Sequence, residues 1–292
     1  MGWLSGLDSF VRQREPMAPH TWFQLGGPAE FFAEPRTEQE LMTLLGRCRE
    51  QNVPVRVLGG GSNVLVLDEG VKGMVIHLAD PNFAEIDVQG TKVRAGGGAK
   101  LGHLISTSVR EGLAGLEPLV GIPGTVGGAL HGNSGGKGGD VGQWTTRATV
   151  ITAGGERIVR ERGELVFAYR ESSLDELLIV SAEFELEKGD PEELTKQMQK
   201  QWIVKRASQP LGHQSAGCIF KNPPGLSAGM LIDQSGLKGT KVGGAEVSDR
   251  HANFIVAEQG ASSADVLKLI ELVRSRVADH LGVTLETEIK IW

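Results

Sequence analysis

Clustered glycine constrains this chain more than any other feature of its sequence. Of 292 residues 41 are glycine, about twice the ~7 % usual in globular domains. They follow no every-third-residue period, which excludes a collagen-like helix, and they gather between stretches of good strand and helix patterning. Glycine gathered in this way marks turns at positive φ and places where backbone comes close to backbone or to a ligand. The densest run lies between 113 and 143. A shorter one, Gly59-Gly60-Gly61-Ser62-Asn63, follows directly on an apolar strand pattern at 55–59.

Between the clusters, the apolar residues switch between the helical and the strand period. Residues 20–33 read as a strand, a Gly26-Gly27-Pro28 turn and a second strand. Residues 37–51 read as a helix with Leu41, Leu44, Leu45 and Cys48 on one face. Further strands are expected at 55–59, 74–78, 85–90, 92–98, 145–153 and 178–186, with a helix at 100–111 stopped by Gly112. The charged punctuation EKGDP at 187–191 is the expected domain boundary, leaving units at 1–188 and 192–292. Beyond it come a helix at 192–206, turns at 209–225, a short helix at 228–236, and a strand and turn at 251–260. A helix from 263 to about 280 opens on a Ser262–Asp265 capping box, and LETEIKIW closes the chain as a strand. The class is α+β.

Composition narrows the function. A net charge of -6 without a basic-aromatic tract argues against nucleic-acid binding. Two cysteines, Cys48 and Cys218, exclude a disulfide scaffold and an all-cysteine metal site. The first ten residues lack the basic start and apolar run of a secretory leader, and no apolar run is long enough to span a membrane. These features point to a cytoplasmic protein of enzyme size. There is no H-E-x-x-H and no cysteine pair at zinc spacing, so no metal is expected, and each histidine reads as surface or core. No G-x-x-x-x-G-K-Ser/Thr occurs, and Val64 stands where a dinucleotide G-x-G-x-x-G would end.

The chemistry-bearing stretches each admit two readings. Gly59, Gly60 and Gly61, with Ser62 and Asn63, form either a nest of backbone N–H groups for a diphosphate or a tight strand-to-strand turn. In GIPGTVGGALHGNSGG, Gly121, Pro123 and Gly124 make a turn, Thr125 adds a hydroxyl, and Gly127-Gly128 permits close approach of a planar or phosphate-bearing group. Structural glycine packing is the other reading. Arg170, within YRESS, is either solvated or aimed at an anionic or enolate oxygen, for which its permanent forked charge suits it. Cys218, within SAGCIFKNP, is a nucleophile, a general acid or inert, since an ordinary thiol is mostly protonated at pH 7. Glu286 and Glu288 share one face of the closing strand, which is either a solvent face or part of a site.

Taken together, the stretches resemble the UDP-N-acetylenolpyruvoylglucosamine reductases, flavoenzymes of peptidoglycan precursor synthesis. GGPAEFF, GGGSNVLV, GIPGTVGGA, YRESS, SAGCIFKNP, LIDQSGLKG, GGAEVSDRHANFIV and LETEIKIW stand in that family's order from His20 to Ile291. The resemblance implies a two-subdomain FAD-binding region of the vanillyl-alcohol-oxidase (PCMH) type, split near 75–80, and a C-terminal α+β substrate-binding domain. It implies non-covalent FAD held at Gly59–Asn63 and Gly121–Gly128, NADPH as electron donor, and a UDP-sugar enolpyruvyl ether as substrate. A monomer is expected, without membrane insertion or nucleic-acid partners. Arg170 would stabilise enolate charge, Glu288 would assist it, Cys218 would protonate C2, and Tyr169, Lys221 and Asn222 would bind substrate. The chain is similar to the shorter form of the family, without the extra tyrosine-bearing loop before Cys218. One departure is chemical: well-studied members carry serine where Cys218 stands.

Overall fold

The computed structural model describes residues 2–136 and 138–292. The Cα packing divides the chain into two compact units. The first comprises Met1–Gln13, Phe31–Gly60 and Lys72–Ile203, the second Arg14–Glu30, Gly61–Val71 and Val204–Trp292. This differs from a single cut near 188, because two early segments fold with the C-terminal residues. The reason is long-range pairing: Lys290–Ile291 lies parallel to Val64–Leu65, and Phe23, Leu25 and Leu65 share one apolar core with Ile219, Phe220 and Leu269.

The first unit is built on two sheets. One has the strand order Val11–Pro16, Pro28–Ala33, Val71–His77, Val55–Leu58, the last two parallel with Val55 opposite Met74. The other is antiparallel, in the order Arg157–Glu161, Thr145–Ile151, Leu178–Glu185, Lys92–Gly96, Ile86–Gln89. Helix α1, Glu38–Glu50, is opened by Thr37, whose side chain accepts from the Glu40 N–H. Its buried face of Leu41, Leu44, Leu45 and Cys48 packs with Met74 and Ile76, each full burial of a leucine contributing about 1.5–3 kcal/mol. Helices α2 (Leu101–Arg110) and α3 (Val126–His131) give Leu104, Ile105, Val126 and Leu130 to a second core with Val93, Ala148 and Phe184. Helix α4, Pro191–Ser208, carries the chain out of this unit.

In the second unit α5 (Ala228–Gln234) and α6 (Ser263–Leu281) accompany a three-stranded antiparallel sheet of Lys241–Val242, Ala245–Val247 and Ile255–Ala257. The expected capping box is present. Ser262 accepts from the Asp265 N–H at 3.1 Å, and Asp265 accepts from the Ser262 N–H at 3.1 Å and from Gly244 N–H at 3.3 Å. Those N–H groups, Ser262 first, hold the Asp265 carboxyl below its ordinary range. A carboxylate with a depressed folded pKa stabilises above its unfolded value and loses that contribution as pH falls through the folded one. Asp265→Asn is therefore expected to melt below wild type at pH 7, the gap closing as the pH falls below the ordinary carboxylate range. Thermal melts across that range test it; a gap independent of pH would remove the carboxylate from the cap's energetics.

Three strands expected from the alternation differ. The first half of 20–33 forms no strand: Ala18–His20 is a single 3-10 turn and the chain becomes extended only at Pro28. Instead Val11–Pro16 is a strand, though only Val11 of it is buried. The run at 251–260 contributes only Ile255–Ala257 and the closing run only Lys290–Ile291. Among the described residues no helix is long and apolar enough to cross a membrane.

Candidate active site

In the first unit the glycine loops meet. The strand Val55–Leu58 ends in Gly59 and Gly60, where an added Cβ would lie 2.8 Å from Thr125 Oγ1 and 2.7 Å from Gly124 Cα respectively. Only bare backbone allows that approach. Gly121 and Gly124 adopt φ +80 and +111, a region L residues avoid. The loop is stitched down by Val126 N–H to Ala99 O and Gly127 N–H to Gly97 O, both 2.8 Å. Thr125 caps α3, its hydroxyl accepting from the Gly128 N–H at 3.3 Å. Gly121, Pro123, Gly124 and Thr125 stay half-buried, and Gly128 is exposed. The result is an accessible edge of main chain and hydroxyl, almost free of side chains. Such neutral, closely spaced donors suit a diphosphate, so these residues fit a flavin dinucleotide.

Arg170 and Tyr169 also belong to the first unit. They form the two-residue link between antiparallel strands Phe167–Ala168 and Glu171–Ser172, in which Ala168 opposes Glu171. Arg170 is held at φ +59, a conformation costing a non-glycine residue about 1 kcal/mol or more. Its Nη1 donates to Gly135 O at 3.1 Å, and its guanidinium lies 5.2 Å from the Tyr169 ring centroid. The half-buried arginine presents permanent charge from a fixed hairpin tip.

The remaining residues stand in the second unit. Gly61 adopts φ +63, and any Cβ there would overlap the His20 carbonyl, behind which the Trp22 N–H donates to Gly61 O at 3.0 Å. Asn63 then joins the C-terminal strand: its Nδ2 donates to Glu288 O at 3.3 Å and its carbonyl accepts from Lys290 N–H at 3.1 Å. The SAGCIFKNP stretch lies against the same strand, with Glu288 N–H donating to Ile219 O at 2.7 Å and Lys221 N–H to Glu286 O at 2.8 Å. Cys218, half-buried and preceded by Gly217 at φ +76, bridges to Phe254 on the other side. One array thus brings together Asn63, Cys218, Lys221 and Glu288. The two glutamates part company: Glu286 is exposed and pairs with Lys221 Nζ at 2.7 Å, whereas Glu288 is half-buried. Asn222 has a local duty, accepting from the Ala228 N–H at 2.9 Å at the start of α5.

Two buried asparagines, Asn133 and Asn253, build the site beyond the residues assigned a role from the sequence. Asn253 accepts from Phe220 N–H at 2.9 Å, donates back to Phe220 O at 2.8 Å, and offers its carbonyl to Ile219 N–H at 2.9 Å. It holds the extended segment that carries Cys218. Its signal is an amide within the apolar run ANFIV. Asn133 does comparable work beside Arg170. Next to Asn253, His251 accepts at Nδ1 from the Asn253 N–H at 3.3 Å, and burial lowers its pKa, so the ring is neutral with its proton on Nε2. Burial pushes the other thiol, Cys48, up to about 11.

A model of the FAD binding domain matches residues 29–160, and one of the UDP-N-acetylenolpyruvoylglucosamine reductase C-terminal domain matches 209–292. The UDP-N-acetylenolpyruvoylglucosamine reductase of Heliobacterium modesticaldum is 46 % identical over 283 residues, covering 96 % of this chain and 90 % of the relative. The second reductase of that name in Symbiobacterium thermophilum is 45 % identical over 97 % of this chain and 92 % of its own. The crystal structure of the Thermus caldophilus UDP-N-acetylenolpyruvylglucosamine reductase superposes with a TM-score of 0.83 at 38 % identity, covering 97 % of this chain and 100 % of that one.

Proposed function

The chain belongs to the UDP-N-acetylenolpyruvoylglucosamine reductase family, and from this we propose that it reduces UDP-N-acetyl-3-O-(1-carboxyvinyl)-glucosamine to UDP-N-acetylmuramate with NADPH as electron donor. It is an FAD-dependent oxidoreductase of the two-part family fold, an FAD-binding region of the PCMH type followed by a substrate-binding domain. The product is a peptidoglycan precursor. In this reading residues 1–188 serve FAD and 192–292 serve substrate, and the enzyme works as a cytoplasmic monomer.

Bound FAD would supply the two-electron redox chemistry that links NADPH to the enolpyruvyl double bond. The glycine loops Gly59–Asn63 and Gly121–Gly128 would hold its diphosphate, with main-chain N–H groups as donors. As hydride adds at C3, negative charge develops at C2 and on the adjoining carboxylate. Arg170 stabilises that charge from a preorganised position, which costs no reorganisation at the moment of reaction. Glu288 assists in polarising the carboxylate. Cys218 gives its proton to C2, so that one hydride and one proton complete the reduction of the double bond. Tyr169, Lys221 and Asn222 bind the substrate. The observation that best supports this reading is the array in which Cys218, a protonatable side chain, is backbone-paired beside Glu288.

An anaerobic absorbance trace tests it. Addition of one equivalent of NADPH is expected to bleach the flavin band, which returns only when the enolpyruvyl ether is added. Bleaching without that return rejects the substrate, and a preparation that cannot be loaded with FAD rejects the reading altogether.

A further inference from the structure

Asn133 lies just past the C-terminus of α3, 2 % exposed and at φ +41. Asparagine is one of the few side-chain-bearing residues that enter this region readily. Both ends of its amide are used. Nδ2 donates to Ala168 O at 2.8 Å, and Oδ1 accepts from the Gly142 N–H at 3.1 Å. Ala168 is the last strand residue before the Tyr169–Arg170 link, and Gly142 packs so tightly on the Phe167 ring that a Cβ would overlap it. Two residues beyond Asn133, the Gly135 carbonyl takes the Arg170 guanidinium at 3.1 Å. The turn 133–135 therefore grips the hairpin at its base and at its charged tip, while Arg170 itself sits in a backbone conformation that needs outside support.

We propose that Asn133 is the positioning residue for Arg170, fixing the hairpin so that the guanidinium meets the developing carboxylate charge. This rests on the role given to Arg170 above. An amide is required because it must donate to Ala168 and accept from Gly142 at once; a carboxylate cannot donate and glycine does neither.

A double-mutant cycle separates positioning from mere support. Asn133→Gly keeps the left-handed backbone, Asn133→Asp keeps the acceptor, and each is made alone and together with Arg170→Gln. Three quantities are read: the rate of flavin reduction by NADPH, the rate of its reoxidation by the enolpyruvyl ether, and the affinity for UDP-N-acetylmuramate by calorimetry. Alone, each Asn133 variant is expected to slow reoxidation by roughly 10²-fold, the cost of a small misplacement of a catalytic group, and to weaken product binding. Reduction by NADPH should stay within about twofold of wild type. In the Arg170→Gln background the same changes should add almost nothing. Equal losses in both backgrounds, or wild-type reoxidation in Asn133→Gly, overturn the proposal. Failure of the wild-type enzyme to be reoxidised by the ether strikes instead at the proposed function.

Discussion

Alanine at Cys218 is expected to leave reduction of the flavin by NADPH near the wild-type rate while slowing its reoxidation by substrate roughly 10²–10⁴-fold, the contribution of a positioned general acid. The split follows from where the proton is used. Hydride transfer from NADPH involves no protonation at C2, so a residue that acts only there leaves the first half-reaction intact. The backbone around Cys218 is tied on both sides, through Ile219 O to Glu288 and through Ile219 N–H to Asn253. Removing Sγ therefore deletes a proton without loosening the segment. Cys218→Ser keeps a donor of similar reach and is expected to retain substantial turnover. Stopped-flow absorbance under anaerobic conditions reads both half-reactions in one sample. Unchanged reoxidation in the alanine variant would take Cys218 out of the mechanism.

Gly60→Ala should have an effect as large, on cofactor retention. Gly60 is not at positive φ, so the cost is steric alone: the new Cβ would lie 2.7 Å from Gly124 Cα and 3.3 Å from Gly124 C, both main chain. Neither atom can rotate away, so the loops must part, and the spacing of their N–H groups changes together. The variant is expected to purify with little or no flavin, and its melting temperature to lose the increment that bound ligand adds. Gly46→Ala is the control. It lies within α1 with nothing within 4 Å of the added Cβ, and alanine there should stabilise by about 0.5–1 kcal/mol with full flavin content. Normal flavin in Gly60→Ala would mean that the meeting of the loops does not matter for the cofactor.

Local signals were the legible part of this fold. The Ser262–Asp265 box before α6 acts within a few residues, and the helix begins where that cap requires. The glycine runs were legible as places of close approach, since the lack of a side chain is visible without a structure. What stayed hidden depends on distant partners. Val11–Pro16 is an exposed strand whose pairing, not its alternation, makes it one, and strand propensity reports surroundings more than backbone preference. Conversely, the alternating Leu285–Ile289 is bonded to the 219–221 stretch without forming a regular ladder. Asn133 and Asn253 find their partners 35 and 33 residues away, beyond any window of local pattern. Their roles emerge only once the chain is folded.

The pairing of Asn63 with Glu288 spans 225 residues, and this sets a timetable for biosynthesis. A ribosome adding about 5–20 residues per second delivers the partner strand on the order of ten seconds or more after the glycine loop has been made. During that interval Val64 and Leu65 are nascent chain awaiting the strand that will seat them, and the two sheets of the first unit can already assemble. A chain cut short before the Lys290–Ile291 strand would leave Val64 and Leu65 without their parallel partner and would face the cell's proteases with that edge open.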